Sequence, residues 1–191
     1  SYCQKEIDPA SILPPKPLFD SVPVVKPLTP LIPEISGIAD SKANPGIIWG
    51  HEDSGRPPLV YLVQHDGSVV KKIHLDGITN RDWEDMVLVN NEIFIGEIGD
   101  NASAYANYKF YRFAEPAAAI DTVHQIETIN FTYPDGSHDA EAFLVDESTG
   151  DIFIITKRDN PSRIYKLAYP YQTNNVVSLE GSLPYMGVVS A

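Results

Sequence analysis

The chain has 191 residues, with 14 Lys and Arg against 26 Asp and Glu for a net charge of −12, and it carries 16 Pro, 12 Gly and one Cys. That charge repels phosphate backbones and anionic membrane surfaces, so nucleic acid and lipid surfaces are disfavoured as partners and cations are favoured as ligands. The lone Cys3 excludes an internal disulfide and a multi-thiolate metal site, and no apolar run approaches the roughly 20 residues of a membrane helix.

Residues 1–30 read as an extended arm. Eight of the 16 prolines lie at or before Pro33, in runs such as Leu13-Pro14-Pro15-Lys16-Pro17, and proline fixes φ and removes a donor. Lys5, Lys16 and Lys26 balance Glu6, Asp8 and Asp20 in this arm, which leaves the net negative charge to the residues that follow. Ser1 in place of Met reads as the start of a processed or trimmed form.

From Pro33 onward the pattern has the period of β-strands: short runs of Ile, Val, Phe and Tyr broken by two- to four-residue turn signals. The first group of runs is Ile35–Ala39, Ile47–Asp53, Leu59–Val63 and Val69–Leu75, with a turn at Asp66-Gly67. The second is Trp83–Val87, Ile93–Asn101, Tyr108–Phe113 and Ile126–Tyr133, with a tight turn at Asn90-Asn91, where Asn tolerates positive φ. The third is Ala140–Leu144, Ile152–Asn160, Arg163–Leu167 and Asn175–Leu183, turning through Ser148-Thr149-Gly150. About a dozen strands and no helix are expected.

These groups repeat. Glu84 lies 48 residues after Ser36, and Glu141 lies 57 after Glu84, with the following strands in step. Units of roughly 50 residues with four antiparallel strands predict an all-β fold of propeller blades over residues 31–191. Three blades do not close a ring, and Met186–Ala191 reads as the opening of a further inner strand. The expectation is half of a six-bladed propeller, completed by residues beyond this chain or by a second chain.

In a propeller the first strand of each blade lines the central channel, and side chains at i and i+2 share a side. Asp82 with Glu84, and Asp139 with Glu141, stand at the same place in successive units. Carboxylates converging there raise one another's pKa or recruit a cation. Hard oxygen ligands suit Ca²⁺, with Mg²⁺ as the alternative. The competing reading is turn bonding, with Arg81, Lys157 or Arg158 as ion-pair partners. A second group leaves the second strands: His51, Glu52 and Asp53; Glu97, Asp100 and Asn101; Lys157, Arg158, Asp159 and Asn160. His51 and Asp100 are the candidate bases for hydrolysis, against a turn-forming role for the Asp-Asn pairs. His138 is weighed evenly between function and structure, and Trp83 reads as packing between sheets. No Gly-x-Ser-x-Gly, Walker or His-Glu-x-x-His motif is present.

At Glu34-Ile35-Ser36-Gly37-Ile38-Ala39, Asp82-Trp83-Glu84-Asp85-Met86 and Asp139-Ala140-Glu141-Ala142-Phe143, the chain resembles bacterial six-bladed propellers of the NHL, phytase-like and SdiA-regulated groups, over roughly residues 33–191. The resemblance implies calcium in the central channel and a secreted, periplasmic or surface-attached protein that binds a small molecule or a protein. Calcium-dependent sugar lactonases are similar in placing a metal-binding Glu where Glu84 and Glu141 stand, and Ser36 departs from that pattern. A metal-dependent lactonase or phosphoesterase is therefore the alternative to a binding module. Phytase-like chemistry needs basic residues at the metal, and here Lys157 and Arg158 alone stand near. Cys3 ahead of an extended arm suits a lipid anchor, although Ser1-Tyr2 departs from the small residues expected before it.

Overall fold

The computed structural model describes residues 22–184 and residue 189. Residues 1–21 of the Pro-rich arm, Cys3 among them, and residues 186–188, 190 and 191 of the expected further strand lie outside the described residues. The described part is all-β, with 14 strands in three sheets and no helix. No described helix is long and apolar enough to cross a membrane.

The first sheet contains β1 (Ile35–Asp40), β2 (Ile47–Glu52), β3 (Leu59–Gln64) and β4 (Val69–Leu75). The second contains β5 (Trp83–Val89), β6 (Glu92–Glu97), β7 (Tyr108–Ala114) and β9 (Glu127–Thr132), and the third β10 (Ala140–Val145), β11 (Ile152–Thr156), β12 (Arg163–Leu167) and β14 (Ser178–Ser182). Each is an antiparallel meander whose neighbours in sequence are neighbours in space. The turns are those the sequence asks for. Asn90 and Asn91 both take positive φ, 50° and 62°, between β5 and β6, and Gly150 takes 80° before β11.

Two short strands were not legible in the hydrophobic pattern. β8 (Thr122–Val123) and β13 (Asn175–Val176) lie between the third and fourth strands of the second and third sheets. Each reaches back to pair in parallel with the outer strand of the preceding sheet, β8 on β4 and β13 on β9. His74 N–H donates to the Asp121 carbonyl at 2.9 Å, and Asp76 N–H to that of Val123 at 2.9 Å. The run expected as one strand over 175–183 is thus two: its start stitches the second sheet and its remainder closes the third.

Side chains alternate between buried and half-buried along β11, where Ile152, Ile154 and Thr156 point into the interface with the second sheet. Two apolar layers result. Trp49, Leu62, Ile73 and Leu75 meet Trp83, Met86, Ile93, Ile95 and Tyr111 between the first two sheets. Phe94, Phe110 and Phe131 meet Phe143, Ile154 and Tyr165 between the second and third. Trp83 packs edge-on to His51 and Tyr111, as an apolar filler. The described end of the arm is docked: Thr29 bridges Ser68, and Ile32 is buried against Tyr61 and Val63. Gly67 makes this approach possible, because a Cβ there would stand 2.2 Å from the Pro27 carbonyl oxygen.

Candidate functional site

β1, β5 and β10 carry the same irregularity. Register shifts fall between Ile35 and Ile38, between Trp83 and Asp85, and between Ala140 and Ala142. Such a bulge opposes two residues to one and re-aims the side chain at that point. The residues inside the three bulges include Ser36, Glu84 and Glu141, the positions that align in the repeat. Beside each bulge the segment leaving the second strand closes back: Asp53 N–H to the Glu34 carbonyl at 2.9 Å, Gly99 N–H to that of Asp82 at 3.3 Å, Lys157 N–H to that of Asp139 at 2.8 Å. The inner strands lie side by side, with β5 between β1 and β10, and the Ser36 hydroxyl donates across to the Glu84 carbonyl at 2.5 Å.

This arrangement brings together all four carboxylates predicted as ligands, and adds a fifth. Ligand atoms of Asp53, Asp82 and Glu84 lie within 4.8 Å of one another, as do those of Glu84, Asp139 and Glu141. Glu84 belongs to both groups. Asp53 stands directly after β2, among the residues expected to leave the second strand, and its N–H bonds the Glu34 carbonyl there. Its backbone place is that of Gly99 and Lys157 in the other two units, neither of them acidic, so the repeat carried no signal for it.

The two groups differ in their counter-charges. Lys157 donates from Nζ to Glu141 Oε1, and Arg158 donates from Nε to Asp139 Oδ2 at 2.7 Å. Asp139 Oδ1 also accepts the Asp100 N–H at 2.8 Å. The carboxylates of Asp82 and Glu84 receive neither a hydrogen bond nor an ion pair among the described residues, although they are 8% and 4% exposed. Arg81 pairs with neither, although its charge partly offsets the upward shift of Asp82. The Arg81 main-chain N–H donates to Glu97 Oε2 at 3.1 Å, and its guanidinium stacks 3.9 Å from the Tyr105 ring centre.

The electrostatic consequence follows. Burial, then the charges of Glu141, Asp53, Asp82 and Asp139, push the Glu84 carboxyl up to about 9. Burial and the charges of Asp53 and Asp139 push Asp82 up to about 6. For Lys157, burial pulls its pKa down, but the bond to Glu141 and the charges of Asp139 and Glu84 outweigh it and leave the ammonium above its ordinary value. A divalent ion among Asp53, Asp82 and Glu84 would supply the positive charge that protons otherwise supply.

The candidate bases have other surroundings. His51 is fully buried, its Nδ1 2.9 Å from the Glu52 carbonyl and its Nε2 without a hydrogen bond among the described residues; burial lowers its pKa. The Asp100 carboxylate accepts from Ala104 N–H at 2.8 Å, Tyr105 N–H at 2.9 Å and the Tyr108 hydroxyl at 2.7 Å. That is the turn-forming use of an Asp. His138 lies between Asp159 and Asp135, at 2.9 and 3.1 Å, with the Tyr165 hydroxyl at 3.0 Å from Nε2. Glu97 is held by the Tyr111 hydroxyl and by Lys109.

No protein-family model matches the chain, and no curated protein matches it in sequence.

Proposed function

We propose that this chain is a cation-binding module made of three blades of a β-propeller of the six-bladed kind, with a divalent ion, calcium by preference, held by the axial carboxylates. One observation carries the reading: Asp82 and Glu84, 8% and 4% exposed, crowd against three more acidic side chains and meet no donor among the described residues. Unpaired buried carboxylates are costly unless a proton or a metal neutralises them. Three oxygen donors on strand ends, with no nitrogen or sulfur ligand beside them, suit a hard ion of flexible coordination. The propeller itself is supported by the three meanders, by the bulge repeated at one position in each inner strand, and by β5 lying between β1 and β10.

In this reading the ion organises the inner strand ends and positions a ligand, a small molecule or a protein, at their mouth. Secretion or attachment to the cell surface belongs to the same proposal, because modest calcium affinity suffices outside the cell. Calorimetric titration of the chelator-stripped protein tests it. Stoichiometric calcium binding that Glu84→Gln abolishes is expected, with magnesium binding more weakly. Absence of binding heat, together with melting that chelator leaves unchanged, overturns the proposal.

A further inference from the structure

We infer that Lys157 is a tethered counter-ion that fills the Asp139–Glu141 half of the acidic cluster, so that the protein holds one metal ion, at Asp53, Asp82 and Glu84, where two overlapping ligand groups exist. The inference rests on the cation reading above and goes further, to the number and place of the ions.

The two groups share Glu84 and match in geometry, each keeping its ligand atoms within 4.8 Å. They differ in charge. In one half the Lys157 ammonium bonds Glu141 Oε1, their side chains 23% and 13% exposed, and the Arg158 guanidinium holds an Asp139 side chain that is fully buried. A divalent ion entering that half meets a fixed ammonium at close range in a poorly solvated place, and like charges there repel strongly. In the other half Asp53, Asp82 and Glu84 present three carboxylates, and no Lys or Arg among the described residues pairs with Asp82 or Glu84.

A second feature points to a ligand in that open half. Glu84, 4% exposed, directs into it a carboxylate that meets no donor among the described residues. The main chain is also seated directly against the two unpaired carboxylates. A Cβ added to Gly99 would stand 2.2 Å from Glu84 Oε1 and 2.6 Å from the Asp82 carboxyl carbon. The equivalent segment after the second strand thus supplies an acid in the first sheet, bare backbone in the second and two bases in the third. The repeat has diversified so that one half attracts a cation and the other contains its own.

Calcium titrations of the chelator-stripped wild type, Asp53→Asn, Lys157→Met and Lys157→Arg test this, with circular dichroism confirming the fold of each. The wild type is expected to bind one ion, and Asp53→Asn to bind it about tenfold more weakly or worse. Lys157→Met is expected to show a second binding event, and Lys157→Arg, which restores the charge, to return to one. A loss of stability alone would not change the number of ions. One ion in Lys157→Met, or wild-type affinity in Asp53→Asn, overturns the inference and leaves the cation reading standing. No binding by the wild type overturns both.

Discussion

Glu84→Gln in metal-free protein isolates the cost of burying one acid. The unfolded chain ionises Glu84 near the ordinary 4.5, and the folded chain near 9. A folded-state pKa that is raised contributes stability fully present below the unfolded value and lost as pH rises toward the folded one, because the native state holds a proton that the unfolded state has released. At neutral pH the loss spans the 2.5 pH units above 4.5, each worth at most about 1.4 kcal/mol; discounted for the solvent that reaches the carboxyl, about 1–3 kcal/mol is expected. Gln keeps the shape of the protonated carboxyl and does not titrate. Urea unfolding in chelator, from about pH 4 to pH 8, should therefore find the two proteins similar at the acid end and the variant about 1–3 kcal/mol more stable near neutrality. Calcium at about one thousand times its Kd should reverse that order, since the bound ion then adds about 4.1 kcal/mol to the wild type alone. Asp82, raised to about 6, adds a smaller slope of the same sign to both proteins. Parallel stability profiles for wild type and variant across this range in chelator would refute the argument.

Gly99→Ala places a methyl group 2.2 Å from Glu84 Oε1, and is expected to weaken calcium binding about tenfold or more in the same titration, for want of room at the ligands. Glu115 accepts hydrogen bonds from Ser41, Lys42, Ala43 and the Trp49 indole; burial works against ionisation, but these donors outweigh it and hold the pKa below its ordinary value. Its contribution is therefore present above about 4.5 and lost as pH falls through the depressed value. Glu115→Gln should cost about 1–3 kcal/mol near neutrality by urea unfolding and flatten the acid limb of the profile. Ile154→Ala, at a fully buried position between the second and third sheets, should cost about 2–5 kcal/mol in the same assay.

The sequence by itself determined what is local and periodic in this protein. Alternation of apolar side chains marked the twelve meander strands, because period 2 is a property of each strand alone. Asn90-Asn91 and Ser148-Thr149-Gly150 marked turns, because positive φ is a property of the residue. The alignment of Ser36 with Glu84 and Glu141 exposed the repeat, and with it four of the five clustered carboxylates. What tertiary structure alone decided depends on pairing between distant segments. β8 and β13 are two residues long and take their strand character from the edge of another sheet, so no window of sequence contains their signal. Asp53 joins the acidic cluster where its N–H bonds the Glu34 carbonyl, and Asp100 leaves the list of free acids because Tyr108 and the turn at Ala104 use its oxygens. The pairing of Lys157 with Glu141 and of Arg158 with Asp139, while no described Lys or Arg pairs with Asp82 or Glu84, is likewise a matter of which long side chain reaches which acid. Charge pattern along the chain supplies the candidates for such pairs, and the packing of one sheet on the next selects among them.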